Sequence, residues 1–333
     1  MVVPSIRRTQ DRGPPDPSLF AMSLVSDNIS ALGLKTPPID KIECDLLAHH
    51  EIVLRILRLD KMHPHIHGNK WFKLKNNLAE IKRLKATQVL SFGGAFSNHL
   101  YALAAAGKHF GFATIGVIRG ELREPLNPVL QFARDQGMRL VGVTREQYRD
   151  KNNRKFLKQL TRKYGAFYFI PEGGSNHLAV QGCQSIIDHV KWLSDAGGKY
   201  LAVACGTGTT MAGLITGLEI AENSPKVLGV SVLKAEGYLE REVSSWIKNI
   251  GIEPTVSWEV LQDYHFGGYA KSNNKLEHFI SEFACLSDIP IEPIYTGKLI
   301  YGIFDQVSSE KFPKGSEILA IHSGGVIQKT SGK

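Results

Sequence analysis

The chain contains no run of about 18 apolar residues, which excludes a transmembrane helix. Cysteine is scarce: Cys44, Cys183, Cys205 and Cys285 lie far apart and form no CxxC pair. That excludes a disulfide framework and favours reduced thiols in a cytoplasmic protein. The segment from Met1 to Met22 carries Arg7, Arg8 and Arg12 among Pro4, Pro14, Pro15 and Pro17, and it has no apolar h-region. It is therefore not a secretory signal, and its few serines argue against a transit peptide. Residues 1–40 read as a poorly ordered tail, the part before Met22 being either disordered or an over-extended start with Met22 as the initiator. Internal repeats and low-complexity tracts are missing too, which sets aside solenoids and arrays.

What is present is an ordinary globular composition, 333 residues with 43% hydrophobic and 22% charged. That is enough for one sizeable core, and more naturally for two lobes. Basic residues outnumber acidic ones 40 to 32, a formal charge of +8. The clusters Lys82-Arg83-Leu84-Lys85 and Lys151 to Lys163 read as solvated helix faces, and no nucleic-acid recognition motif accompanies them. A positive field accords with an anionic cofactor and a carboxylate substrate.

Short apolar runs alternate with longer amphipathic stretches. Strands are expected at 51–57, 88–92, 113–118, 139–143, 167–170, 199–204, 226–232, 255–258 and 317–322. Helices are expected at 73–85, 98–110, 125–136, 145–164, 177–196, 210–222, 236–250, 273–286 and 298–312. This alternation, with valine- and isoleucine-rich strands, predicts an α/β fold of parallel-rich sheets covered by helices. Glycine turns follow the strands at Gly93-Gly94, Gly173-Gly174, Gly206 and Gly324-Gly325. In parallel sheets ligands bind beyond the carboxyl ends of strands, so four turns can converge on one ligand.

The stretch Leu201 to Thr210 has the order strand, glycine turn, helix. Small residues at Gly206, Thr207, Gly208, Thr209 and Thr210 let backbone amides approach an anion, and a helix N-terminus adds its positive end. A Walker A loop would end in Gly-Lys-Ser/Thr, and a dinucleotide fingerprint needs a third glycine; neither is here. Lys70 follows Gly68-Asn69, precedes the apolar Trp71-Phe72 and opens a helix. Partial burial beside a positive helix end lowers an amine pKa, with Lys73 and Lys75 as local competitors. Ser97-Asn98-His99 after a strand is either a helix cap or a set of donors for a substrate carboxylate. His63-Pro64-His65-Ile66-His67 lacks a patterned Asp, Glu or Cys partner, so it reads as a loop with incidental histidines and no metal is expected. An amine able to form a Schiff base and a phosphate cradle in one α/β chain are what pyridoxal phosphate requires.

Together these residues resemble the D-cysteine desulfhydrase / 1-aminocyclopropane-1-carboxylate deaminase family of pyridoxal-phosphate enzymes. The likeness runs from about Glu51 to Gly325. Its marks are Gly68-Asn69-Lys70 with Lys73-Leu74, Ser97-Asn98-His99, Pro171 to Asn176, Gly206 to Thr210, Tyr295-Thr296-Gly297-Lys298 and His322 to Gly325. The resemblance implies the two-lobed tryptophan-synthase-β-like fold (fold type II). It places a large cofactor-binding lobe at 41–87 plus 177–333, a small lobe at 88–176, and a homodimer. It also implies roles: Lys70 bonded to the cofactor and acting as the base, Asn98 on the phenolic oxygen, Gly206 to Thr210 on the phosphate, and Thr296 facing the pyridine nitrogen. Ser97, Asn98 and His99 would hold the substrate, with Tyr269 and Tyr295 as active-site tyrosines.

Deaminases of the family carry glutamate where this chain has Thr296, and glutamine where it has His99. Both departures favour a carbon–sulfur lyase, with D-cysteine β-elimination to pyruvate, ammonia and hydrogen sulfide as the first expectation. Deamination of 1-aminocyclopropane-1-carboxylate is the alternative within the fold, and a cofactor-binding protein without turnover the alternative of another class. Trp71, Phe72 and Phe96 stand where the family has smaller or polar residues, which predicts a narrowed or reshaped pocket.

Overall fold

Runs rich in valine, leucine and isoleucine make the strands, and the amphipathic stretches between them make the covering helices. The computed structural model describes residues 32–192, 198–218, 225–252 and 256–325. Ten strands follow in order among these residues: β1 (Ile39–Ile42), β2 (Val53–Arg58), β3 (Gln88–Gly93), β4 (Ala113–Arg119), β5 (Arg139–Val143), β6 (Tyr168–Ile170), β7 (Lys199–Cys205), β8 (Lys226–Ser231), β9 (Trp258–Leu261) and β10 (Glu317–His322). A six-stranded sheet has the order β1-β2-β10-β7-β8-β9, and a four-stranded sheet the order β5-β4-β3-β6. Only β1 runs antiparallel, with Ile39 opposite Leu57; the other pairings are parallel.

The larger sheet is covered on both faces. Side chains alternate along a strand, so Leu201, Val203, Leu319 and Ile321 enter one core, while Ala202, Ala204, Ile318 and Ala320 enter the other. Leu319 is fully buried, and truncating such a residue to alanine costs about 2–5 kcal/mol. In the smaller sheet Leu90, Phe92, Ile115 and Val117 face one layer and Val89 and Ile118 face the opposite one.

The helices that position the site are α1 (Asp45–His49), α2 (Asn69–Arg83), α3 (Asn98–Phe110), α4 (Pro128–Asp135), α5 (Arg145–Arg149), α6 (Arg154–Tyr164), α7 (His177–Gln184), α8 (Thr209–Leu218), α9 (Tyr238–Ile250), α10 (Asn274–Ser287) and α11 (Thr296–Ser308). Several differ from the sequence expectation for identifiable reasons. The expected helix 145–164 is two helices. Thr144 opens α5 with a reciprocal capping box to Gln147, and the Asn153 side chain caps α6 afresh. The helix expected from 177 stops at Gln184, followed by a short 3-10 turn at Ile187–His189. Strand β1 was not expected, and it lies at the end of the segment 1–40 read as a tail; residues 1–31 of that segment lie outside the described residues.

The start of α2 is bolted to the end of β10. Gly68 donates its N–H to Leu59 O (2.8 Å) and Asn69 donates to Ser323 O (3.1 Å). Gly68 has φ of 64°, and a Cβ there would stand 2.1 Å from Ser323 O. Only glycine fits both the left-handed backbone and the contact.

Candidate active site

The four glycine turns do converge. Gly94, Ser97 and Asn98 after β3, Gly173 after β6, Gly206 to Gly208 after β7, and Ser323-Gly324 after β10 line two joined cavities. Lys70 and Asn98 belong to both. The wider cavity, about 260 Å³, also has Arg119, Glu172, Tyr269 and Tyr295 in its wall.

Lys70 sits in the first turn of α2. Its amine donates to Asn69 Oδ1 (2.8 Å), and Asn69 Nδ2 donates to Thr210 Oγ1 (3.0 Å). Asn69 thus ties the amine to the glycine loop. Burial first, and the neighbouring Lys73 charge second, lower the Lys70 pKa to about 7. A substantial neutral fraction near neutral pH suits both a nucleophile and a base.

Lys73 lies one turn further along the helix, on the same face. It is buried, and its Nζ donates to Gly173 O (3.1 Å), Thr207 Oγ1 (3.2 Å) and Ser175 Oγ (3.4 Å). Burial lowers its pKa to about 8. Ser175 Oγ also donates to Thr207 Oγ1 (2.8 Å), and Thr207 and Thr209 hydroxyls lie 3.2 Å apart. The first-turn N–H groups of α8 have no partner within the helix. Thr207, the Lys73 ammonium that donates to it and the backbone of a helix N-terminus make a cationic turn in the cavity wall that matches a phosphate dianion. The Trp246 indole fastens the loop from behind by donating to Thr207 O (3.1 Å).

Ser97 proves to be the N-cap of α3. Its Oγ accepts from Leu100 N (3.3 Å), and it lines the wider cavity as well. Asn98 points its Nδ2 at the bare face of Gly325, where a Cβ would stand 3.0 Å away. His99 is only 1% exposed; its Nε2 meets Ser91 Oγ at 2.9 Å and its Nδ1 has no partner. Burial, reinforced by Lys70 and Lys73, holds its pKa well below the ordinary imidazole value, so the ring is neutral.

Tyr295 donates to the Tyr269 hydroxyl at 3.4 Å, with the rings edge to face. Burial raises both phenol pKa values, so both stay protonated donors. Tyr295 also lies beside the loop, 3.4 Å from where a Gly206 Cβ would be. Thr296 is buried, and its hydroxyl donates to Glu292 Oε1 (3.2 Å) while accepting from Glu292 N (3.1 Å).

Sequence reasoning assigned no role to several residues here. Glu292 accepts from the N–H groups of Ile294, Tyr295 and Thr296 (2.7, 2.9 and 2.8 Å) and so caps α11; its acidic position before Pro293 was the available signal. Lys298 is fully buried and donates to His265 O (2.8 Å) and Gly268 O (2.9 Å), fastening the loop that carries Tyr269. Glu172 fell within the Pro171 to Asn176 mark but was given no role, and Arg119 carried only its place at a strand end as a signal.

The narrowed pocket expected from Trp71, Phe72 and Phe96 is not what the structure shows. Trp71 and Phe72 are buried in the core and line neither cavity; Phe72 packs edge to face with His189. They precede Lys73 on the inward face of α2, where apolar bulk is stable. Phe96 is 58% exposed and likewise outside the cavity walls. Of the three loop histidines, His63 Nδ1 accepts from His65 N and Ile66 N, and His65 Nδ1 meets Tyr101 Oη at 3.0 Å.

A cleft at strand carboxyl ends, a lysine with a depressed pKa and a phosphate cradle define an enzyme that uses pyridoxal phosphate, and comparison with known proteins agrees. A family model described as pyridoxal-phosphate dependent enzyme matches residues 36–324, and the chain belongs to that family. Within it the chain falls in the D-cysteine desulfhydrase / 1-aminocyclopropane-1-carboxylate deaminase group. A Thermotoga maritima protein provisionally named a 1-aminocyclopropane-1-carboxylate deaminase is 32% identical over 270 residues, 78% of this chain and 84% of that one. An Arabidopsis thaliana mitochondrial protein named a bifunctional D-cysteine desulfhydrase/1-aminocyclopropane-1-carboxylate deaminase is 27% identical over 299 residues, 82% and 72% of the two chains. A solved deaminase homologue superposes with a TM-score of 0.78 at 25% identity, covering 91% of this chain and 94% of its own. The fold is therefore the type II pyridoxal-phosphate fold, shared also with a Dictyostelium discoideum serine racemase at 13% identity and a TM-score of 0.67.

The residues present fit the cofactor. Lys73, Gly206, Thr207, Gly208, Thr210 and the start of α8, which line the narrower cavity, would hold its phosphate. Lys70 would meet its aldehyde, and Asn98 offers an amide N–H to its ring substituents.

Proposed function

We propose that this protein is a carbon–sulfur lyase that converts a small amino acid, D-cysteine in the first instance, with water, to pyruvate, ammonia and hydrogen sulfide. The observation that carries the reading is the Lys70 amine, lowered to about 7 in the cavity that also holds Ser97, Asn98 and the phosphate cradle. When bound, pyridoxal phosphate supplies an aldehyde that condenses with amines and a conjugated ring that draws electrons from the substrate α-carbon.

The chain does the rest. Lys73 and the Gly206–Thr210 turn anchor the phosphate. Ser97, Asn98 and the first N–H groups of α3 hold the substrate carboxylate, which fixes the α-hydrogen against Lys70. Lys70 Nζ takes that proton. Tyr269 and Tyr295, protonated and in contact in the wall of the wider cavity, would pass a proton to the departing sulfur. We assign the segment 88–176 as a small lobe that closes on the remainder, 41–87 and 177–333, and excludes water.

Thr296 favours elimination over ring opening of 1-aminocyclopropane-1-carboxylate. Its hydroxyl is uncharged, and the neighbouring Glu292 carboxylate is spent on the N–H groups of Ile294, Tyr295 and Thr296 and on the Thr296 hydroxyl, so no carboxylate is offered to a ring nitrogen from this position. The test is product formation: pyruvate and sulfide from D-cysteine, L-cysteine and aminocyclopropanecarboxylate, with Lys70→Ala as control. Sulfide from D-cysteine that disappears in K70A is the expected result. Ammonia and 2-oxobutanoate from aminocyclopropanecarboxylate alone would replace the reading with deamination, and no product from any of them would leave a cofactor binder.

A further inference from the structure

The wider cavity holds one carboxylate and one guanidinium that do not pair with each other. Glu172 is already satisfied: Tyr148 Oη donates to its Oε1 (2.7 Å) and Lys151 Nζ lies 3.3 Å from its Oε2. Arg119 is not. It ends β4, and its Nη2 reaches to 3.6 Å from where a Gly94 Cβ would stand, on the turn that leads into Ser97. Its guanidinium lies 5.9 Å from the Tyr148 ring centre. Among the described residues no carboxylate forms an ion pair with it, whereas neighbouring arginines are paired, Arg123 with Glu121 and Arg134 with Glu124. The glycine at position 94 leaves the guanidinium room to lie over the turn, facing the cavity that Lys70 and the two tyrosines also line.

An arginine stays charged at every working pH and presents a fork of donors to a single anion. The α-carboxylate of an amino acid is provided for by Ser97, Asn98 and the start of α3, on the reading given above, so a second anion position remains. We propose that the substrate carries a negatively charged head on its side chain, a thiolate or a carboxylate, and that Arg119 is the specificity residue that holds it. A thiolate head leaves as hydrosulfide once a tyrosine hydroxyl has passed a proton to the sulfur, and the same cation would meet that charge; a carboxylate head would be held without leaving. This inference rests on the function proposed above and deepens it: the side chain is chosen by charge and not by size alone.

The test is a titration of the protein carrying pyridoxal phosphate, followed by the cofactor's absorbance. D- and L-aspartate are compared with D- and L-asparagine in the wild type, Arg119→Ala and Arg119→Lys. In at least one enantiomer aspartate is expected to bind about tenfold more tightly than asparagine, the modest end of a charged hydrogen bond because Arg119 is open to water. R119A brings the ratio towards one, and R119K keeps part of it. A preference for D-cysteine over D-serine that grows from about pH 7 to 9 in the wild type but not in R119A supports the thiolate as the natural head. An aspartate preference without that trend supports a carboxylate.

Equal affinity for aspartate and asparagine in both enantiomers, together with no such thiolate trend, overturns the proposal. So does an R119A protein that loses both amino acids by the same factor, since the guanidinium then serves the α-carboxylate they share. If no amino acid changes the absorbance, cysteine and alanine included, the proposed function itself fails, and this inference falls with it.

Discussion

Lys73 Nζ donates to Thr207 Oγ1 across 3.2 Å, joining the second turn of the first long helix to the glycine loop after β7. On the proposed function Lys70 and Lys73 divide the work of the site: one amine is held by Asn69 in the cavity wall, and the other stands beside Thr207 in the glycine loop. Replacing Lys73 by methionine removes a charged donor from the proposed phosphate position. The cofactor is expected to bind about 10- to 100-fold more weakly, the worth of one charge-assisted hydrogen bond. A fluorescence titration of the cofactor-free protein measures this, and an unchanged dissociation constant contradicts the assignment.

The depressed pKa of Lys70 has a consequence for stability. Its folded value is about 7, below the roughly 10.4 of an unfolded lysine. Between these values the unfolded chain binds more protons, so stability rises with pH across that window. Below about pH 7 both states are protonated and the cost of a buried charge is felt in full. In the cofactor-free protein, Lys70→Met is therefore expected to be more stable than wild type at pH 6.5, on the order of 2 kcal/mol once solvent screening is allowed for. The gap narrows as pH approaches about 10. Urea unfolding at several pH values is the measurement, and a gap that does not change with pH speaks against a buried, depressed amine.

Lys298 holds the Tyr269 loop through the carbonyls of His265 and Gly268. Lys298→Met leaves both carbonyls without their donor, a loss of about 1–3 kcal/mol. Because Tyr269 touches Tyr295, kcat is expected to fall more than binding of the substrate carboxylate weakens. Unfolding midpoints combined with kcat and KM check both parts, and an unaltered kcat would remove Tyr269 from the chemistry.

Gly68→Ala places a methyl group 2.1 Å from Ser323 O on a backbone with φ of 64°. The left-handed backbone alone costs on the order of 1–3 kcal/mol, and the clash must be relieved by moving either the Lys70 turn or the turn after β10. Weaker cofactor binding and a lower urea midpoint are expected together. Wild-type values for both would mean that the two turns are not held as described.

Much of this architecture was legible because parallel strands buried on both faces leave continuous apolar runs. The expected strand at 317–322 is β10 residue for residue, and 139–143 is β5. Boundaries set by side-chain caps were harder to place. Thr144 with Gln147, and then Asn153, divide what looked like one helix, and Glu292 starts α11 at Thr296 instead of Lys298. Strand β1 escaped because Ile39-Asp40-Lys41-Ile42 is half polar and gains its place by pairing with β2.

Within the site, residues next to a glycine turn could be picked out, since Gly68, Gly94 and Gly206 mark where backbone must approach something closely. The partners of Lys298 could not, because His265 is 33 residues away and nothing local distinguishes a buried lysine from a solvated one. Trp71 and Phe72 misled for the same reason. Adjacency to Lys70 in sequence suggested the pocket, while the helix turns both rings into the core.

The central claim is that Lys70, and not its neighbours, carries the cofactor. Borohydride reduction of the protein loaded with pyridoxal phosphate makes the linkage permanent, and peptide mass spectrometry then locates it. The cofactor's mass is expected on Lys70. Finding it on Lys73 or Lys75, or on no residue of the 69–83 helix, would overturn the assignment of Lys70.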